Sequence, residues 1–152
     1  MTVSKIGILL TNIGTPEQCT VPEVRNYLRR FLGDSRVLKI PKLIRIALLE
    51  GIILRTRPKK SHQAYQRIWT EKGSPLKLIT ENQAIKLQQH LDSKNLSPHF
   101  YVKYGMSYSK PYIQDALEDL IAHHECQQLI VLPLFPQYSA TTTASTFDFI
   151  AK

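Results

Sequence analysis

"KIGILLTNIG", residues 5–14, decides the fold. Ile6, Ile8, Leu9 and Leu10 put apolar side chains on both faces of an extended segment. A strand greasy on both faces is expected in a parallel sheet covered by helices on each side. Gly14 bounds the run and Thr15-Pro16 follows it. "HFYVKYGM" (99–106) alternates as a strand does, and "QLIVLPLF" (128–135) reads as a third buried strand.

The segments between these runs have helical rhythm. "TVPEVRNYLRRFL" (20–32) joins a capping box, Thr20 with Glu23, to apolar residues at 24, 27, 28, 31 and 32. "IPKLIRIALLEGIILR" (40–55) is apolar nearly all round although it carries Lys42, Arg45 and Glu50. It is too short to span about 30 Å of hydrocarbon. Two readings stay open for it, a core helix or an exposed apolar helix lying on a membrane. "RPKKSHQAYQRIW" (57–69) predicts a short basic helix, and Ser74-Pro75 supplies a cap and a first-turn proline for the next. Apolar positions 76, 79, 84, 87 and 91 continue that helix. Ser109 is expected to cap a helix over 109–124, and "TTTASTFDFIAK" (141–152) opens another.

The order β, several helices, β, α, β, α predicts a doubly wound α/β domain, with one parallel sheet flanked by helices over residues 1–152. In such sheets ligands sit outside the carboxyl ends of the strands. Here those ends are "NIGTP", "GMSYSKP" and "FPQYSATTT".

Twenty Lys and Arg against twelve Asp and Glu give a net charge of +8. Nucleic acid, an anionic membrane surface, a polyanionic small molecule or plain solubility could each account for that excess. Aromatic residues are not interleaved with the cations as a base-stacking platform, so a nucleic-acid partner is set aside. Cys19 and Cys126 have no paired-ligand spacing and point weakly to a reducing compartment. The strand begins within a few residues of Met1, leaving no room for a leader, so a cytoplasmic location is expected.

Several chemistries lack their residues. There is no glycine fingerprint for a dinucleotide, no P-loop and no nucleophile elbow around Ser139. His123 and His124 are adjacent, so on a helix they point apart and make a poor metal pair; no metal site is expected. What remains is a basic, aromatic-bearing segment with Arg57, Lys60 and Tyr65, beside the apolar stretch 40–55. Guanidinium groups next to an apolar surface suit a phosphate or a flat apolar ligand bearing carboxylates.

Four stretches carry a family resemblance: "LLTNIGTPE", "YLRRFLGDSRV", "RPKKSHQAYQRIWTEKGSPL" and "LPLFPQYSATTTAS". In this order and spacing they resemble ferrochelatase, which inserts Fe²⁺ into protoporphyrin IX, and the likeness runs over essentially all 152 residues. The resemblance implies two similar α/β domains with the porphyrin in the cleft between them, this chain supplying the first. It implies porphyrin contacts at Arg57, Tyr65 and Ser74, with Ile13 against the macrocycle. Lys60, Tyr108 and Ser139 complete the expected binding set. It also implies that residues 40–55 form a lip facing a membrane, as a peripheral contact.

Two residues depart from the family pattern. Ser107 stands where many relatives carry arginine, with Tyr108 matching beside it. Ala140 stands where cluster-bearing relatives have cysteine, so no [2Fe–2S] cluster is expected. The family's histidine and partner glutamate belong to the second half, so no catalytic residue is expected in this chain and the segment alone is expected to be inactive. Fe²⁺ and protoporphyrin enter as substrates, and no resident cofactor is implied. The alternatives are a porphyrin- or haem-binding module without chelation and a half-length homodimeric chelatase.

Overall fold

The computed structural model describes residues 4–151. Its centre is a three-stranded, all-parallel sheet in the order β2-β1-β3, with β1 Lys5–Asn12, β2 His99–Met106 and β3 Gln128–Pro133. β1 pairs with β2 from Lys5↔His99 to Asn12↔Met106, and with β3 from Ile6↔Gln128 to Thr11↔Pro133.

The two faces of β1 enter different cores, as period-two alternation requires. Ile8 and Leu10, with Val102 of β2, pack against Ala84, Leu87 and Leu91 of helix α4, Pro75–Ser93. Leu9 turns the other way, onto Ile113, Ala116 and Leu120. Ile113 and Ala116 belong to α5, Ile113–Glu118, and Leu120 to the π-helical turn Asp119–His123 that continues it. Phe149 and Ile150 of α6, Thr143–Ile150, pack onto the same cluster. β1 is therefore covered on both faces, as its sequence predicts. α5 lies so close to β2 that a Cβ on Gly105 would sit 2.7 Å from the Cα of Ile113.

α1, Val21–Gly33, starts where the capping box predicts, with the Thr20 hydroxyl accepting from the Glu23 amide at 3.4 Å. Its buried residues Val24, Leu28 and Leu32 face a helical arm rather than the sheet. That arm corrects the expected break between an apolar and a basic helix. α2, Lys42–Leu48, runs through a π-helical turn, Leu49–Ile53, straight into α3, Leu54–Gln66.

Leu49 and Leu54 explain the π turn. Five residues apart on an α-helix they would point about 140° apart. One turn of i→i+5 register lines them up, and both are buried against α1. Pro58 survives inside α3 although it cannot donate to the carbonyl of Leu54 four residues back. Arg25 of α1 serves that carbonyl instead, its Nε donating at 3.2 Å.

The core-helix reading of residues 40–55 fails for α2, which has no buried residue; Leu43 is 82% exposed and Ile44 58%. β3 is likewise not a buried strand. It is paired on one side only, and Leu129, Ile130 and Leu132 are exposed. The expected serine cap of α5 is also absent: the helix opens at Ile113, with Asp115 accepting from the Tyr112 amide at 3.2 Å. Ser109 is used elsewhere, as described below.

Replacing Gly105 with alanine drives a Cβ into backbone, which cannot swing aside as a side chain would. Urea unfolding of Gly105→Ala is expected to show a loss of about 3 kcal/mol.

Candidate functional site

The strand ends are tied together before any ligand arrives. After β1, the Asn12 carbonyl accepts from the Ser107 amide at 2.9 Å, and the Ile13 carbonyl from the Tyr108 amide at 3.2 Å. The Thr15 amide donates to Ser109 Oγ at 3.0 Å, which is why Ser109 does not cap α5. Thr15 Oγ1 donates to Ser74 Oγ at 2.9 Å. Ser74 stands at the cap position of α4 yet makes no side-chain cap, because its hydroxyl is committed to this bond. Deeper in, Asn12 Nδ2 donates to Thr80 Oγ1 at 3.3 Å.

Gly14 makes the approach possible. Its φ is +98°, a conformation that L side chains rarely adopt, and a Cβ there would lie 2.6 Å from Ser109 Oγ. The loops after β1 and β2 and the start of α4 thus form one hydrogen-bonded surface at the carboxyl edge of the sheet.

A second knot stands beside it. Asp34, at the end of α1, accepts from Tyr108 Oη at 2.6 Å and Ser145 Oγ at 2.5 Å, while its other oxygen accepts from the Arg36 amide at 2.7 Å. Arg36 in turn forms a two-toothed ion pair with Asp148 of α6, with Nη2 to Oδ1 at 2.7 Å. Partial burial pushes the Asp34 carboxyl up, but the hydrogen bonds from Ser145, Tyr108 and the Arg36 amide outweigh it and hold the pKa below its ordinary 3.8. Burial, then the Asp34 carboxylate, push the Tyr108 phenol far up, so Tyr108 stays a neutral donor. Its ring is held edge-on by Phe31 at 5.3 Å and Phe149 at 5.6 Å.

The structure places the seven expected porphyrin contacts in three groups. Ile13, Ser74 and Tyr108 belong to the strand-end surface, with Ile13 half-buried and Ser74 and Tyr108 buried. Arg57, Lys60 and Tyr65 lie on α3. Tyr65 packs against the α1 cluster and edge-on to Trp69 at 6.1 Å, and burial raises its phenol pKa. Arg57 and Lys60 are exposed. At about 100° per residue, Lys60 lies about 140° round the helix from Tyr65, whereas Arg57 lies only about 80° from it.

Ser139 stands apart, in a knot of its own. Its Oγ accepts from the Thr141 amide at 3.2 Å and Thr142 Oγ1 at 3.0 Å, ordering the turn before α6. α1 touches both larger groups, through its cluster with Tyr65 and through Phe31 with Tyr108. A cavity of about 720 Å³ opens on the far side of Tyr108, and one of about 200 Å³ beside Ser74; neither is lined by Ile13, Arg57, Lys60, Tyr65 or Ser139. Among the described residues no group of three or more His, Cys, Asp or Glu could hold a metal ion.

A family model described as Ferrochelatase matches residues 5–152. The chain belongs to the ferrochelatase family. It is 44% identical to a ferrochelatase of Idiomarina loihiensis over 97% of this chain and 40% of that protein. It is 47% identical to a ferrochelatase of Shewanella denitrificans over 98% of this chain and 45% of the relative. Against a coproporphyrin III ferrochelatase of Enterococcus faecalis it is 47% identical over 97% of this chain and 45% of that one. The chain thus spans less than half the length of the ferrochelatases it matches.

Asp34, Ser145, Arg36 and Asp148 were not marked as site residues by the sequence. The one signal was "GDS" directly after a helix, an aspartate where a chain commonly turns.

Asp34→Asn removes the charge that three donors serve. Because the folded-state pKa is lowered, that contribution is complete above the unfolded value near 3.8 and is lost as pH falls through the lower folded value. Denaturant unfolding is expected to show the variant weaker by about 1 kcal/mol or less at pH 7, because solvent screens a partly exposed carboxylate, and the gap should close as the medium is acidified below pH 4.

Proposed function

We propose that the chain forms the porphyrin-contacting first half of a ferrochelatase that inserts Fe²⁺ into protoporphyrin IX in haem biosynthesis. Membership of the family over residues 5–152 carries this reading. The geometry supports it through α1, which touches Tyr65 of α3 through its apolar cluster and Tyr108 of the strand-end surface through Phe31. A flat macrocycle would lie over the strand ends beside α3, its rim carboxylates taken by Arg57 and the Tyr65 hydroxyl and its ring against Ile13. Ser74 and Tyr108 would shape this wall through their buried hydroxyls, Lys60 would add charge at the rim, and Ser139 would order the turn that closes the cleft.

Chelation needs a base for two pyrrole protons and a metal delivered to the ring. These tasks fall to the second domain, in the portion of the relatives' length that the chain does not span. Alanine at position 140 offers no ligand for an iron–sulfur cluster.

The test is a protoporphyrin titration followed at the Soret band. The 152-residue chain is expected to bind and shift the band, with Arg57→Gln and Tyr65→Phe each weakening binding about five- to tenfold. Lys94→Gln, at the opposite end of α4 from Ser74, should not. An unshifted band would defeat the proposal. With Fe²⁺ or Zn²⁺ present, the chain alone is expected to form no metalloporphyrin.

A second substrate is favoured by one observation: the Enterococcus relative, named for coproporphyrin III, is as similar as the Shewanella one. Coproporphyrin has four carboxylates, and tighter binding of it than of protoporphyrin in the same titration would replace the first reading.

The exposed apolar residues of α2, with the basic start of α3 beside them, are proposed to rest on a membrane surface and admit the greasy substrate. No helix among the described residues is long and apolar enough to cross a membrane. Sedimentation with vesicles containing anionic lipid is expected to carry the chain down, and Leu43→Asp with Ile44→Asp to leave it in the supernatant. Equal pelleting of the double variant would refute the contact.

A further inference from the structure

The cavity of about 720 Å³ lies between the end of α1, α2 and the α5–α6 pair. Its volume is that of a site for a small organic ligand. Both acidic groups in its wall are already satisfied: Asp34 by Tyr108, Ser145 and the Arg36 amide, and Asp148 by Arg36. The two cations in the wall are not. Arg30 lies over the ring of Tyr112, its guanidinium carbon 5.1 Å from the centroid, and has no acidic partner among the described residues. Arg45 uses Nη1 on the carbonyls of Leu38 and Ile40, both at 3.3 Å, and its Nε is enclosed with no hydrogen-bond partner. The hydroxyl of Tyr112 is enclosed and unpartnered as well.

The groups left without a hydrogen-bond partner here are Arg45 Nε and the Tyr112 hydroxyl, and the charges without an acidic partner are positive. Phe149 and the Tyr112 ring add aromatic surface to the same wall. An anion with an apolar body matches both features, and a planar carboxylate matches guanidinium better than a spherical ion does. We propose that this cavity is a binding site for a small organic carboxylate, held by Arg30 and Arg45 with its body against Tyr112 and Phe149. The site shares only Tyr108 with the expected porphyrin contacts and does not rest on the chelatase reading.

The probe is 2-naphthoate, titrated into the chain and followed by backbone amide chemical shifts, with neutral 2-naphthamide as the control. Shifts are expected at Gly33, Ser35, Ser107 and Gln114, with the amide at least tenfold weaker. Arg30→Gln, at an exposed position, should weaken naphthoate about tenfold, and Arg45→Lys about threefold, since lysine keeps the charge and loses the fork. Lys94→Gln should change nothing. Equal binding of naphthoate and naphthamide, or shifts confined to other surfaces, would overturn the proposal. So would displacement of naphthoate by protoporphyrin, which would make the cavity part of the porphyrin surface. Failure of protoporphyrin to bind at all would defeat the chelatase reading and leave this one standing.

Discussion

β1 is the strand on which the rest of the molecule hangs. Flanked on each side by a parallel neighbour, it sends Ile8 and Leu10 into one core and Leu9 into the other. Fully burying an aliphatic side chain of this size stabilises by about 1.5–3 kcal/mol, so three in succession on one strand fix its place at the centre. The constraint continues past the strand's end. The carbonyls of Thr11, Asn12 and Ile13 receive the first amides beyond β2 and β3, and Gly14 lets Ser109 close in. The strand-end surface is thus an extension of the sheet rather than a loose set of loops.

Against this rigid edge stands an arm built differently. α1 forms an apolar cluster of its own with Leu49 of the π turn and Leu54 of α3, and the end of α1 meets the sheet layer through the Phe31–Tyr108 ring contact and through hydrogen bonds and charge at Asp34, Tyr108, Ser145, Arg36 and Asp148. Polar bonds of this kind fix geometry more than they add net stability, because each replaces bonds to water. Tyr108 belongs to both layers, with its amide on β1's loop and its hydroxyl in the Asp34 knot. The free cations of the neighbouring cavity border the same arm.

Among the described residues β3 is an edge strand of the sheet. Leu129, Ile130 and Leu132 carry the sequence of an inner strand in an edge position, which is why they read as buried and are not. A run of branched residues reports an apolar strand; it does not report whether that strand stands at the centre or the edge of its sheet.

Residue order alone settled the class of the fold and which strand ends would come together. A run apolar on both faces in residues 5–14, alternation in 99–106, and helical spacing between strands pointed to a parallel α/β sheet with "NIGTP" and "GMSYSKP" at the same edge. These are local and periodic signals, and periodicity is what a single sequence displays. Tertiary structure alone decided how hydroxyls and charges were spent. Ser109 and Ser74 look like helix caps but bond to Thr15, Ser139 orders a turn, and Asp34 gathers donors from Tyr108 and Ser145, the latter 111 residues away. It also decided that residues 42–66 form one arm, since the π turn exists to bring Leu49 and Leu54 onto α1. A hydroxyl offers the same donor and acceptor to any neighbour, and which neighbour arrives depends on packing between distant segments, which no spacing rule contains.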